Sequence, residues 1–123
     1  MLATGNYRCV QDDAARPIKE AVHSDLAASR AVYEWVAELC RKLGADTADQ
    51  VPFEKYAAAA MGLGKPSSVA RALFGGAPNV ERVDQLVQSI AAQQGMQSAV
   101  VDATVAKLDA RLELNRKAVQ ARL

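Results

Sequence analysis

The sequence predicts an all-α fold, in which residues 1–123 form a single helical bundle domain of five to six helices with a long C-terminal helix. Three observations predict this class. Apolar residues recur with helical spacing in several segments. Hydrophobic residues make up 50% of the chain, but alanine supplies many of them and only 5% are aromatic, a composition that favours close helix–helix packing over a sheet. No segment alternates apolar and polar residues with period two.

The first two helices are predicted from proline and glycine punctuation. The first runs over residues 13–22, where Pro17 is tolerated because it lies in the first turn. The second begins at a cap formed by Ser24 or Asp25 and ends at Gly44, a left-handed stop. The apolar positions of this second helix follow the i, i+3, i+4, i+7 spacing of a core-facing stripe: Val32, Trp35, Val36, Leu39, Cys40 and Leu43.

The third and fourth helices are short. Pro52 fits the first position of a helix that continues through Met61. Ser67 then caps a second short helix, which continues through Phe74 and ends at the glycine pair 75–76.

The last two helices are predicted to be amphipathic. Asn79 caps the fifth, with Glu81 in its first turn and Asp84 solvated one turn later. Its apolar stripe consists of Val80, Val83, Leu86, Val87, Ile90 and Ala91. Ser98 starts the last helix, which has one apolar face: Val101, Val105, Leu108, Leu112 and Val119. That helix spans about 35 Å, the expected diameter of the whole domain, so its end either crosses the domain or extends past it.

Charge and cysteine content narrow the function classes. Fifteen basic and fourteen acidic residues give a net charge of +1, which offers no electrostatic footprint for nucleic acid or an anionic membrane. Two cysteines are too few for a disulfide framework, and one histidine, His23, argues against a bound metal. With no apolar run near the ~18 residues of a membrane span and no signal pattern, we expect a cytoplasmic protein.

The serine pair at positions 67 and 68 is the strongest candidate for a binding site. A helix start presents unpaired backbone N–H groups and the positive end of the helix dipole, which suit a carboxylate or phosphate. One serine suffices as the cap, so the second hydroxyl is free to bind a ligand oxygen. The sequence also allows the simpler interpretation, in which the pair only caps the helix.

From Ser67 to Asp84 the chain resembles the C-terminal helical domain of the ketopantoate reductase family, whose second domain is like that of 6-phosphogluconate dehydrogenase. The shared pattern is a Ser-Ser that opens a helix, a glycine-containing turn, an acid about a dozen residues on and a long amphipathic helix. The segment from Val32 to Gly44 is similar to an upstream helix of the family. The order of helices agrees from about Glu20 to Glu113.

The resemblance implies specific roles. Ser68, or Ser67, would bind the carboxylate of a 2-oxo acid, Glu81 would be the catalytic acid that lines the cleft, and Asn6 would match a substrate-binding asparagine of the family's first helix. The family's lysine has no counterpart before Asn6, and Ala72 replaces an aspartate. NADP(H) is implied for the complete enzyme, but this chain has no Gly-x-Gly-x-x-Gly after a strand and so no cofactor site of its own.

Three functions remain open on this basis. The chain is the substrate-binding and dimerisation half of a 2-oxo acid reductase, unable to transfer hydride alone and partnered by a second copy or a separate Rossmann domain. Alternatively, it is a stand-alone helical protein-interaction module without catalytic activity, which uses the end of its last helix. The third hypothesis is a sensor of small anions at the Ser68 helix start.

Overall fold

Six α-helices make up most of the computed structural model, which describes residues 1–123 and has no β-strand. They are α1 (Ile18–His23), α2 (Leu26–Lys42), α3 (Phe53–Ala60), α4 (Ser68–Phe74), α5 (Val83–Gln93) and α6 (Ala99–Ala121). A single π-helical turn (Leu2–Asn6) and a 3-10 turn (Tyr7–Cys9) precede them, and a second 3-10 turn (Thr47–Asp49) lies between α2 and α3. The all-α prediction, with a long C-terminal helix, is confirmed.

Local capping chemistry explains where most helices begin and end. Asp25, Ser67 and Ser98 cap α2, α4 and α6, each accepting a hydrogen bond from the backbone N–H three residues on. These contacts satisfy amides that have no partner inside the helix. After α2, Gly44 adopts a left-handed φ of 103°, which a residue with a Cβ rarely tolerates. The predicted limits of α2 and α4 and the predicted start of α6 are therefore correct to within about two residues.

Two predicted helix starts are wrong. Helix α1 begins only at Ile18, because Pro17 lies before it in extended conformation (φ −60°, ψ 152°) and residues 10 and 15 form an isolated antiparallel bridge. Helix α5 does not begin near Asn79. It starts at Val83 with Arg82 as its N-cap residue, so Glu81 lies before the helix and not in its first turn.

The core forms around the N-terminal turns. Eight buried residues make up its main cluster, and they come from those turns, the segment after them, α1, α4 and α6: Tyr7, Cys9, Val10, Ala21, Ala70, Leu73, Leu108 and Leu112. A second buried cluster joins α1 to α3: Val22, Phe53, Tyr56, Ala57 and Ala60. Residues 4–10, to which the sequence assigns no helix, thus form part of the packing, whereas Met1 and Leu2 are exposed.

Several predicted core or surface positions are wrong. Trp35 and Cys40, both on the predicted stripe of α2, are only half-buried, and Leu86 of α5 is 57% exposed. Asp84, expected to be solvated, is buried. Helix α5 packs against α6 and the N-terminal π-helical turn, and these two neighbours leave Leu86 uncovered.

Helix α6 extends beyond the core. Its last buried residue is Asn115, and after it only Val119 is even half-buried. The 23 residues of α6 span about 35 Å, so its last two turns pass the packed region. None of the helices combines the length and the apolar character that a membrane crossing needs.

Burial gives the three tyrosines a shared pH dependence. Desolvation raises the pKa of Tyr7 and Tyr33 above 10.0 and that of Tyr56 to about 12. The folded state therefore holds these phenol protons more tightly than the unfolded state does. The tyrosines therefore contribute fully to the free energy of unfolding below pH 10, and this contribution is lost as the pH rises from 10 towards 12.

We expect an absorbance titration of tyrosinate to show all three phenols ionising above pH 10, with the urea midpoint falling over the same range. In the Tyr56→Phe variant the loss of stability between pH 10 and 12 should be shallower than in the wild type, because its largest single contributor is gone. An equally steep loss in Tyr56→Phe would contradict this assignment.

Candidate functional site

Three of the four residues that the resemblance assigns to a substrate line one cleft. Asn6 comes from the N-terminal turn, Ser68 from the start of α4 and Glu81 from the segment before α5. The cleft has a volume of about 370 Å³, and apolar side chains including Val69 and Val80 line most of the rest. A cavity of this size and mixed character is typical of small-molecule sites.

The two serines have different environments. Ser67 is buried; its Oγ donates a hydrogen bond to the carbonyl of Asn6 (2.6 Å) and accepts one from the N–H of Ala70 (3.3 Å). The single hydroxyl proton of Ser67 is thus committed to holding the N-terminal turn against α4. Ser68 is exposed and its hydroxyl has no partner within the chain. One serine caps and the other is left free, as the sequence predicts.

Tyr7 holds the segment that carries Glu81. Its hydroxyl donates to the carbonyl of Glu81 (2.7 Å) and accepts from the N–H of Val83 (3.0 Å). Both contacts are with backbone atoms, so this part of the anchorage does not depend on the side chains of residues 81–83. The Glu81 side chain itself remains exposed beside the cleft. The sequence has no local signal for this role of Tyr7.

An ion-pair cluster fixes the same segment from its other side. Arg82 donates through Nε and Nη2 to the two carboxylate oxygens of Asp84 (3.0 and 2.9 Å) and through Nη1 to Asp109 of α6 (2.7 Å). Burial acts to lower the pKa of Arg82, but the hydrogen bonds to Asp84 and Asp109 outweigh it and raise the pKa above its ordinary value. The guanidinium thus joins the start of α5 to α6.

A second groove, of about 570 Å³, lies on the other side of Ser68 and shares Asn6 with the cleft. Its walls include residues 62–66, which are tied to α1 by backbone hydrogen bonds from Ile18 and Lys19. Two cations, Lys65 and Arg71, line this groove, and no acid does. Neither cation forms an ion pair within the chain, so their charge is available to an anion.

The combined arrangement is suited to a small carboxylic acid. At the junction of cleft and groove, the hydroxyl of Ser68 and the side-chain amide of Asn6 both lack partners within the chain, and both can donate to a carboxylate. Glu81 offers a carboxyl group on a further wall. No group of three or more His, Cys, Asp or Glu side chains is arranged to hold a metal ion.

In comparisons with known proteins, no family model, curated protein or solved structure matches this chain.

Proposed function

We propose that this chain is the substrate-binding and dimerisation half of an NAD(P)H-dependent reductase of small 2-oxo acids, like the helical domain of ketopantoate reductases. One observation supports this above the others. Asn6, Ser68 and Glu81, assigned to the substrate by resemblance and drawn from three separate segments, line a single cleft.

The carboxylate of the 2-oxo acid accepts hydrogen bonds from Ser68 and Asn6 in this proposal. Lys65 and Arg71 raise the local concentration of anions at the adjoining groove. The apolar wall formed by Val69 and Val80 takes the hydrocarbon part of the acid. Glu81 lines the part of the cleft where the 2-oxo group would lie, the place that the resemblance gives to the family's acid.

The residues present do not fit a dinucleotide. The chain has no strand and no glycine-rich turn after one, which are the elements that hold a pyrophosphate in Rossmann domains. NADP(H) therefore belongs to a second domain, joined to this one in a longer chain or separate from it. We expect this chain alone to leave NADPH fluorescence unchanged. Tight binding of NADPH would contradict the proposal that the cofactor binds to a second domain.

The direct test is a calorimetric titration of the chain with 2-oxoisovalerate. We expect saturable binding that weakens about tenfold in the Ser68→Ala variant, because a hydrogen bond to a charged group contributes at least about 1.4 kcal/mol. Ser89→Ala is the matched control: Ser89 is another exposed helical serine, on α5, and lies outside the cleft. The Ser89→Ala variant should bind 2-oxoisovalerate with the affinity of the wild type.

Two results would count against the proposal. One is an absence of saturable binding by any 2-oxo acid to the wild type. The other is a Ser68→Ala variant that binds as tightly as Ser89→Ala. For the dimerisation role, light scattering at high concentration should return twice the 13.1 kDa mass of one chain, and a monomer would contradict it.

A second candidate, a stand-alone helical interaction module, is favoured by the exposed leucines. Leu86 of α5 is 57% exposed and Leu114 of α6 is 59% exposed, and the last turns of α6 pass the core. This function predicts that Leu86→Ser and Leu114→Ser weaken association, whereas Ser68→Ala and Glu81→Ala leave it unchanged. Loss of 2-oxo acid binding in Ser68→Ala would favour the reductase half.

A further inference from the structure

A separate cavity of about 340 Å³ lies where α2, α5 and the start of α6 meet, and it shares no residue with the Ser68 cleft. Its principal side chains are Trp35 of α2, Gln88 of α5, Met96 and Gln97 of the connecting loop, and Asp102 of α6. The substrate role proposed above does not involve any of them. The volume is at the lower end of the range for ligand sites.

Asp102 is the one charged residue that lines this cavity. Its two carboxylate oxygens accept hydrogen bonds from Nε2 of Gln88 (2.9 Å) and from Nε2 of Gln97 (3.0 Å). These bonds, that from Gln88 foremost, lower the pKa of Asp102 below 3.8. The carboxylate is therefore ionised at neutral pH, and no cation beside it neutralises the charge.

The orientation of the two glutamines makes the cavity rich in acceptors. Because each directs its amide nitrogen to Asp102, each has an Oε1 atom without a partner in the chain. A carboxylate has lone pairs for about four hydrogen bonds, and Asp102 uses two of them. These three side chains can thus still accept more hydrogen bonds than they can donate. They are suited to a ligand that donates hydrogen bonds.

Trp35 supplies the aromatic wall. The indole is half-buried and takes no part in the aromatic pairs or cation–π contacts of the chain. The predicted core stripe of α2 would bury this ring, but the structure leaves it beside an open cavity. An indole face attracts cations more strongly than other aromatic rings do.

We propose that this cavity binds a small organic cation with a primary ammonium group, whose N–H groups donate to Asp102 and the glutamine oxygens while its hydrocarbon part packs on Trp35. A carboxylate alone at the start of α6 would only complement the helix dipole. The aromatic wall, the unpaired acceptors and the absence of a lining cation together favour a ligand over that role.

The chain has one tryptophan, so its fluorescence reports on this cavity directly. We expect n-butylammonium to change the emission of Trp35 saturably, whereas 1-pentanol, similar in size but neutral, does not. Asp102→Asn should weaken the binding about tenfold, since it removes the charge and keeps the shape. Glu113→Gln, which removes an exposed acid from the same helix, is the matched control and should bind as the wild type does.

A second variant keeps the proposal testable if Asp102→Asn does not fold. Ala92 lines the cavity from the exposed side of α5, so Ala92→Phe adds a large side chain to the cavity while Asp102 itself is kept. It should abolish the response to n-butylammonium. The proposal is overturned if 1-pentanol and n-butylammonium act alike, or if Ala92→Phe still binds. Neither result would affect the Ser68 cleft, whose test uses a different ligand.

Discussion

Replacing Asp84 with alanine is expected to lower the free energy of unfolding by about 3 kcal/mol, because it leaves a largely buried guanidinium without its main partner. The side chain of Asp84 is 2% exposed and that of Arg82 is 15% exposed. The two are joined by a pair of charge-assisted hydrogen bonds. The loss falls at the lower end of the range for buried pairs, since Arg82 keeps Asp109.

The same arginine provides the control. Asp109 binds Arg82 at 2.7 Å, but its side chain is 52% exposed, and exposed ion pairs contribute less than about 1 kcal/mol. Urea unfolding of Asp84→Ala and Asp109→Ala should therefore give clearly different losses of stability. Equal losses would mean that solvent reaches both carboxylates and that burial of Asp84 adds nothing.

The Asp84 result also bears on the cleft. Arg82 lies between Glu81 and Val83, the two residues whose backbones Tyr7 binds. If the Arg82–Asp84 pair fixes this segment, Asp84→Ala should broaden the amide resonances of residues 79–83 before it unfolds the domain. Stability, local order and the position of Glu81 therefore depend on one ion-pair cluster.

Local chemistry explains the parts of the fold that the sequence predicts well. The caps of α2, α4 and α6 and the glycine after α2 act within four residues of where they stand. The same holds for the division of the serine pair, since one cap per helix leaves Ser68 free. Such features do not depend on what the helix packs against.

The errors arise where distant residues decide the outcome. Asn79 is a good cap by residue type, yet α5 begins four residues later, where Tyr7 from the N-terminal turn binds the backbone of residues 81 and 83. The sequence predicts Asp84 to be a surface residue, but in the structure it is buried and pairs with Arg82. The Tyr7 contacts depend on tertiary packing. The Arg82–Asp84 contact is local, but Arg82 also binds Asp109 of α6, and helical periodicity does not predict that tertiary contact.

The cleft combines both kinds of information. Ser68 follows from capping, whereas Asn6 and Glu81 are expected only from the resemblance, and their meeting depends on how the N-terminal turn packs on α4. The adjoining cations Lys65 and Arg71 were not predicted as a pair, because only the loop tied to α1 brings them to one groove. The sequence does not predict the cavity at Trp35, because Trp35 belongs to the apolar stripe of α2 and such a stripe indicates buried side chains.

Asn115→Leu is expected to cost about 2 kcal/mol of stability, although leucine keeps the volume and adds apolar surface. The buried Asn115 side chain donates through Nδ2 to the carbonyls of Leu73 and Ala77, both at 2.8 Å. These acceptors lie at the end of α4 and in the turn after it. The substitution leaves the half-buried carbonyl of Ala77 without a partner, whereas the carbonyl of Leu73 still accepts from the N–H of Gly76 (3.1 Å). One such unsatisfied carbonyl costs about 1–3 kcal/mol.

Asn79→Leu is the matched control for Asn115→Leu, because Asn79 is exposed and a substitution there should change stability by no more than about 0.5 kcal/mol. Urea unfolding measures both variants. If Asn115→Leu is as stable as the wild type, apolar packing alone holds α4 against α6. The predicted loss would instead mean that polar side chains hold both ends of the helix that bears Ser68, Ser67 at its start and Asn115 at its end. The geometry of the candidate cleft would then depend on these two hydrogen-bonding residues.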